Sequence, residues 1–124
     1  MSEQLDHEKL DVYQIGLEFV RWSTGLLEAV ERSSPSGTRH IRDHPDRARL
    51  SILFNTAEGN GKRPMRTRAK FFDDARGSAT ECGACLDALV AVGFVDGDRV
   101  RPGKEMLVRI VSMLTRLVGK FSND

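Results

Sequence analysis

The sequence predicts an all-α protein, an up-and-down four-helix bundle within one domain spanning residues 1–124. Three observations predict it. Apolar residues recur at alternating spacings of three and four through long segments, as a helix facing a partner requires. Short stretches marked by glycine, proline and serine separate those segments, and short connections favour antiparallel neighbours. Hydrophobic residues make up 40% of the 124 residues, enough for one core and too many for a disordered chain.

The first helix is expected over about 8–32. One apolar stripe runs Leu10, Tyr13, Leu17, Val20 and Leu27, with Thr24 as a polar break. A second runs Val12, Ile15, Phe19, Trp22, Leu26 and Ala29, and at about 100° per residue the two are centred roughly 160° apart. A helix in a lone bundle needs one apolar face. The second stripe therefore predicts an oligomer, with Val12, Ile15, Phe19, Trp22 and Leu26 as the interface.

After "SSPSG" a second helix is expected over about 45–59, opening at Pro45, with Asp43 and Asp46 suited to its positive end. Ala48, Ile52 and Asn55 share one face, and Leu50, Leu53, Phe54 and Ala57 broaden it beyond one contact. The third helix is expected over about 67–92 with Phe71, Phe72, Ala75, Ala79, Cys82, Leu86, Leu89 and Val90 inward. Gly77, Ser78, Gly83 and Ala84 keep it thin enough for close approach of another backbone. "GFVDGDRVRPG" reads as a connector, and a fourth helix over about 104–121 carries Leu107, Ile110, Val111, Leu114, Leu117, Val118 and Phe121, with Arg109, Arg116 and Lys120 on its wet side.

The net charge of +1 conceals an uneven distribution, because residues 38–72 hold nine Lys/Arg against three Asp/Glu. Lys62, Arg63, Arg66, Arg68 and Lys70 follow one another with no acid between them, at a loop and helix start where free amides favour anions. With Arg47 and Arg49 they form the candidate nucleic-acid contact. Glu58 lies in a helix's last turn, against the dipole, and so calls for a cation: Arg63, Arg66 or Arg47. Asn55 reads as a helix-to-helix hydrogen bonder.

Other chemistry has little support. His40, Asp43 and His44 lack further ligands, and Pro45 biases His44 away from helical geometry, so no metal is expected. Cys82 and Cys85 form a CxxC without the strand or second CxxC that redox or zinc chemistry needs, and read as reduced core residues. There is no Walker-type loop or nucleophile elbow, and Ser51 has no histidine near it in sequence. No enzymatic activity, catalytic residue or cofactor is expected; a metal-dependent hydrolase using His40, Asp43, His44 or Glu58 is the least supported alternative. The polar start "MSEQLDHEKLD" and the absence of a membrane-length apolar run predict a cytoplasmic protein without membrane contact.

"LSILFNTAEGNGKR" carries a resemblance. Ser51, Ile52, Asn55, Ala57, Glu58, Gly59, Gly61 and Lys62, with Arg47 upstream, match a pattern of small bacterial four-helix-bundle proteins first noted as products of intervening sequences in 23S ribosomal RNA genes. Related proteins are accessory variability determinants of diversity-generating retroelements. "LDVYQIGLEFV" and "GSATE" resemble the family's first and third helices. Arg49 stands where the family has a small residue, and Leu53 and Thr56 where it often has proline and isoleucine. The resemblance implies a ring-like homopentamer without enzymatic activity. Its retroelement branch implies binding of a reverse transcriptase and nucleic acid. The expected function is thus a homo-oligomeric scaffold contacting RNA, DNA or a ribonucleoprotein; the alternative is a protein-binding adapter with no nucleic-acid role.

Overall fold

The computed structural model describes residues 4–33 and 39–122, with backbone alone for residues 39–41. Among the described residues there are four α-helices and no strand: α1 (Asp11–Ser33), α2 (Arg39–Gly61), α3 (Met65–Ala91) and α4 (Gly97–Ser122), preceded by a one-turn 3-10 helix, Asp6–Lys9. Each helix packs on its neighbours in sequence and α1 closes on α4, while the diagonal pairs make no close approach. The pairings run antiparallel. Arg42 meets Glu31 while Leu53 lies against Gly16; His44 meets Glu81 while Gly59 lies against Phe72; Lys104 meets Asp87 while Arg76 meets Thr115.

The core forms where the inward faces meet. Phe19, Leu26, Ile52, Phe72, Leu89, Ile110 and Leu114 are almost wholly excluded from water, each such burial contributing about 1.5–3 kcal/mol. The residues expected at an oligomer interface belong to this core: Val12, Ile15, Phe19 and Leu26 are buried within one chain, and half-buried Trp22 packs on α4 at Gly103. That stripe therefore requires no second molecule. The other stripe, Leu10, Tyr13, Leu17 and Val20, is half-buried beside it.

Two helices begin earlier than their prolines suggest. Pro45 lies inside α2 and Pro102 inside α4. Each ring forgoes one bond near a helix start, and its fixed φ suits the helix, so the neighbouring turns carry the chain through. In α2, Arg42 adds bonds to Glu31 at 2.9 Å and Asp46 at 3.2 Å, which tie the early turns to α1 and to each other. In α4 the Asp96 carboxylate accepts the Arg99 amide at 3.0 Å, capping a helix that starts at Gly97 instead of after the Pro-Gly pair.

Gly93 ends α3 as expected. Its φ is +84°, its amide donates to the Val90 carbonyl and that of Phe94 to Leu89, the two bonds of a Schellman stop. Close approaches occur elsewhere than expected. Gly77 has open space around it and Gly83 only ordinary contact with Leu107, whereas a Cβ at Gly16, Gly59 or Gly103 would meet Leu53, Phe72 or Trp22 at 2.9 Å or less. Phe71, expected inward, is half-buried under Lys62 and Lys70, whose ammonium groups lie 5.6 and 5.0 Å from its ring centroid. No helix among the described residues is long and apolar enough to cross a membrane.

Candidate nucleic-acid interface

The turn between α2 and α3 consists of Lys62, Arg63 and Pro64. Pro64 stands before α3 in an extended conformation and offers no side-chain cap, so the first amides of α3 open toward the turn without an intrahelical acceptor. The same end of the bundle receives the C-terminus of α4. Arg68 stacks on the Phe121 ring at 4.2 Å and Lys120 lies 5.3 Å from the same ring, which itself stacks on Phe72. Aromatic rings therefore hold several of the cations in place, with Lys62 and Lys70 over Phe71 and Arg68 and Lys120 over Phe121.

The seven expected basic residues separate into four groups. Lys62, Arg63, Arg66 and Lys70 are exposed together around the turn. Glu58 pairs with Lys62 at 3.2 Å, a cation one turn on that its place against the helix dipole calls for. Asp74 pairs with Lys70 at 3.0 Å. Such exposed pairs are worth little, so both lysines remain available to an anion. Arg68 is half-buried with its Nε enclosed and unbonded, which makes it a support for the end of the bundle. Arg47 is exposed on the outer face of α2, about 22 Å along the helix from Lys62.

Arg49 is not on the surface at all. It is 7% exposed, and its guanidinium donates to the Val20 carbonyl at 3.0 Å, Ser23 Oγ at 3.0 Å and Thr24 Oγ1 at 2.6 Å, with Asp46 at 2.7 Å from Nη2. It bolts α2 to α1. The polar break at Thr24, with Ser23 beside it, was the sequence signal for this partner.

Arg116 and Lys120 lie on the expected wet face of α4; Lys120 reaches Phe121 at the end of the bundle that holds the basic turn, while Arg116 lines a groove with Leu10 and Asp11 at the start of α1. The signal for Lys120 was the topology, because in an up-and-down bundle the end of α4 lies beside the start of α3. Asp6 faces this end too, accepting a bond from Asn60 at 2.8 Å.

The motif residues serve packing. Asn55 bonds back to Ser51 on its own helix, through the carbonyl at 3.0 Å and the hydroxyl at 2.8 Å, and Ser51 meets Ser78 of α3 at 2.9 Å. The link between helices is thus the serine pair, with Asn55 orienting it. Gly59 allows α2 to lie against Phe72 and the Arg68 carbonyl, while Gly61 has open space around it.

The remaining candidates lead elsewhere. The side chain of His40 lies outside the described residues, and His44 pairs with Glu81 at 2.5 Å. Among the described residues no group of three or more His, Cys, Asp or Glu could hold a metal. Cys82 and Cys85 are free thiols. Burial pushes the Cys82 thiol up to about 12 from 9.0, and burial together with Glu81 raises Cys85. The native chain is therefore expected to react far more slowly with a thiol reagent at pH 8 than the unfolded chain, measured by absorbance with and without denaturant; equal rates would contradict the burial. The raised thiol also sets a sign for stability. Its contribution is intact below pH 9.0 and is lost as pH rises toward about 12, where the unfolded chain has released the proton and the folded chain has not.

The family model described as 23S rRNA-intervening sequence protein matches residues 8–116. No curated protein matches the chain.

Proposed function

The chain belongs to the 23S rRNA-intervening sequence protein family, and from that premise we propose that it is a non-enzymatic, ring-like homo-oligomeric scaffold that contacts RNA, DNA or a ribonucleoprotein through one end of each bundle. The observation that carries this reading is the convergence of Lys62, Arg63, Arg66 and Lys70 with Lys120 at that end, several of them held by Phe71 and Phe121. Phosphate oxygens fit such a surface, because ring-supported cations lose little freedom on binding and the open amides of α3 add donors. No feature of the surface selects a base, so binding is expected to be insensitive to sequence and steeply dependent on salt. The subunit number, five, rests on family resemblance.

The test is binding of labelled RNA and DNA across a salt series by the chain and by the Arg63→Ala, Arg66→Ala, Lys70→Ala variant. The variant is expected to bind at least about tenfold more weakly at 50 mM salt, with a log–log salt slope shallower by about 2–3. Absence of binding by the unaltered chain at low salt would overturn the reading. Capture of a protein partner that survives nuclease treatment, with no binding of bare nucleic acid, would favour the adapter instead.

A further inference from the structure

Apart from Leu5, Met65 and Val92 near the ends of helices, the large apolar side chains left uncovered lie on two helix faces. On α2, Phe54 is 63% and Leu50 38% exposed, one turn apart on the outer side, and they form a ridge. Between α3 and α4 runs an apolar groove lined by Ala79, Thr80, Gly83, Leu107, Val108 and Val111, with Val108 69% exposed. Gly83 widens it, since its nearest neighbour, Leu107 Cδ1, is 3.9 Å from where a Cβ would stand. The ridge and the groove cannot meet within one chain, because α2 and α4 occupy opposite corners of the bundle.

We propose that the α2 ridge of one copy docks in the α3–α4 groove of a second copy held in the same orientation. This deepens the oligomer reading above and rests on it. The charges flanking the two faces identify the occupant. Arg47 and Glu58 bracket the ridge and stand 11 residues apart, about 16 Å along α2. Asp87 and Arg76 flank the groove, also 11 residues apart on α3, through their contacts with Lys104 and Thr115 of α4. Because α2 and α3 run in opposite directions, parallel copies bring Arg47 to Asp87 and Glu58 to Arg76, two opposite-charge pairs at one common spacing. All four residues already make only exposed contacts or none among the described residues, so exchanging partners is cheap. A copy turned end for end would place Arg47 at Arg76 and Glu58 at Asp87. The contact is heterologous, using different patches on the two copies, which is the kind that builds rings or open chains.

Light scattering on the chain, on Phe54→Glu, on Val108→Glu and on an equimolar mixture of the two variants tests this. The unaltered chain is expected to assemble and each variant alone to be monomeric, with its dissociation constant raised at least 100-fold. The mixture is expected to stop at dimers, since only one intact ridge and one intact groove remain to meet. A monomeric unaltered chain overturns the oligomer reading and this docking together. An assembled chain whose variants also stay assembled overturns the docking alone. Monomeric variants whose mixture stays monomeric overturn the head-to-tail pairing. Circular dichroism confirms folding, and Phe54→Ser with Val108→Ser replace either glutamate variant that loses its helical signal.

Discussion

Replacing Arg49 by alanine is expected to lower the free energy of unfolding by about 3 kcal/mol, read as a shifted denaturation midpoint with an unchanged slope. The guanidinium is buried and spends its donors on α1 and on Asp46. Truncation removes these bonds and the packing of the side-chain stem between two helices. Asp46 is less affected, because it remains partly exposed and keeps Arg42 at 3.2 Å. Arg49→Met retains the stem and leaves no charge behind, so it is expected to recover roughly half of the loss. An Arg49→Ala chain within about 0.5 kcal/mol of the original would show that the residue is not the bolt described. Loss of nucleic-acid binding without loss of stability would return Arg49 to the surface role first expected of it.

The second large effect is expected at Gly59. A methyl group there would stand 2.9 Å from two atoms of the Phe72 ring and 3.2 Å from the Arg68 carbonyl. Phe72 is fully buried and stacked on Phe121, so it has nowhere to retreat, and the backbone carbonyl cannot rotate away. Overpacking of this kind costs about 1–3 kcal/mol, against about 1 kcal/mol gained in helix propensity. A net loss of up to about 2 kcal/mol is expected for Gly59→Ala, and more for Gly59→Val, by thermal or denaturant unfolding. Gly61→Ala is the control. Nothing lies within 4 Å of that position, so it is expected to be neutral or slightly stabilising. Equal effects at the two glycines would mean that the α2–α3 approach is looser than the structure shows.

These two residues illustrate what could be read in advance. The motif containing Gly59 and Gly61 identified the family, and one letter pattern made the two glycines look alike. One meets a phenylalanine ring and the other meets solvent, a difference that depends on where α3 lies. Arg49 was grouped with its basic neighbours because charge is visible in a sequence and burial is not. Of its partners, Thr24 shows in the sequence only as an interruption in the apolar stripe of the first helix, and Ser23 not at all. The helix starts at Arg39 and Gly97 were hidden by Pro45 and Pro102, whose local bias against helix yields to the turns on either side.

The helical class, the number of helices, most of the inward positions, the Gly93 stop and the family could all be read from the chain, because these follow from periodicity, punctuation and a local motif. The packing of the four helices settles which stripe of α1 is core, that Phe71 supports cations while Phe72 fills the interior, that Arg49 is a bolt, and that Lys120 reaches the end of the bundle that holds the α2–α3 turn. Each of those depends on which residue from another helix occupies the adjoining space, and no spacing within one segment carries that information.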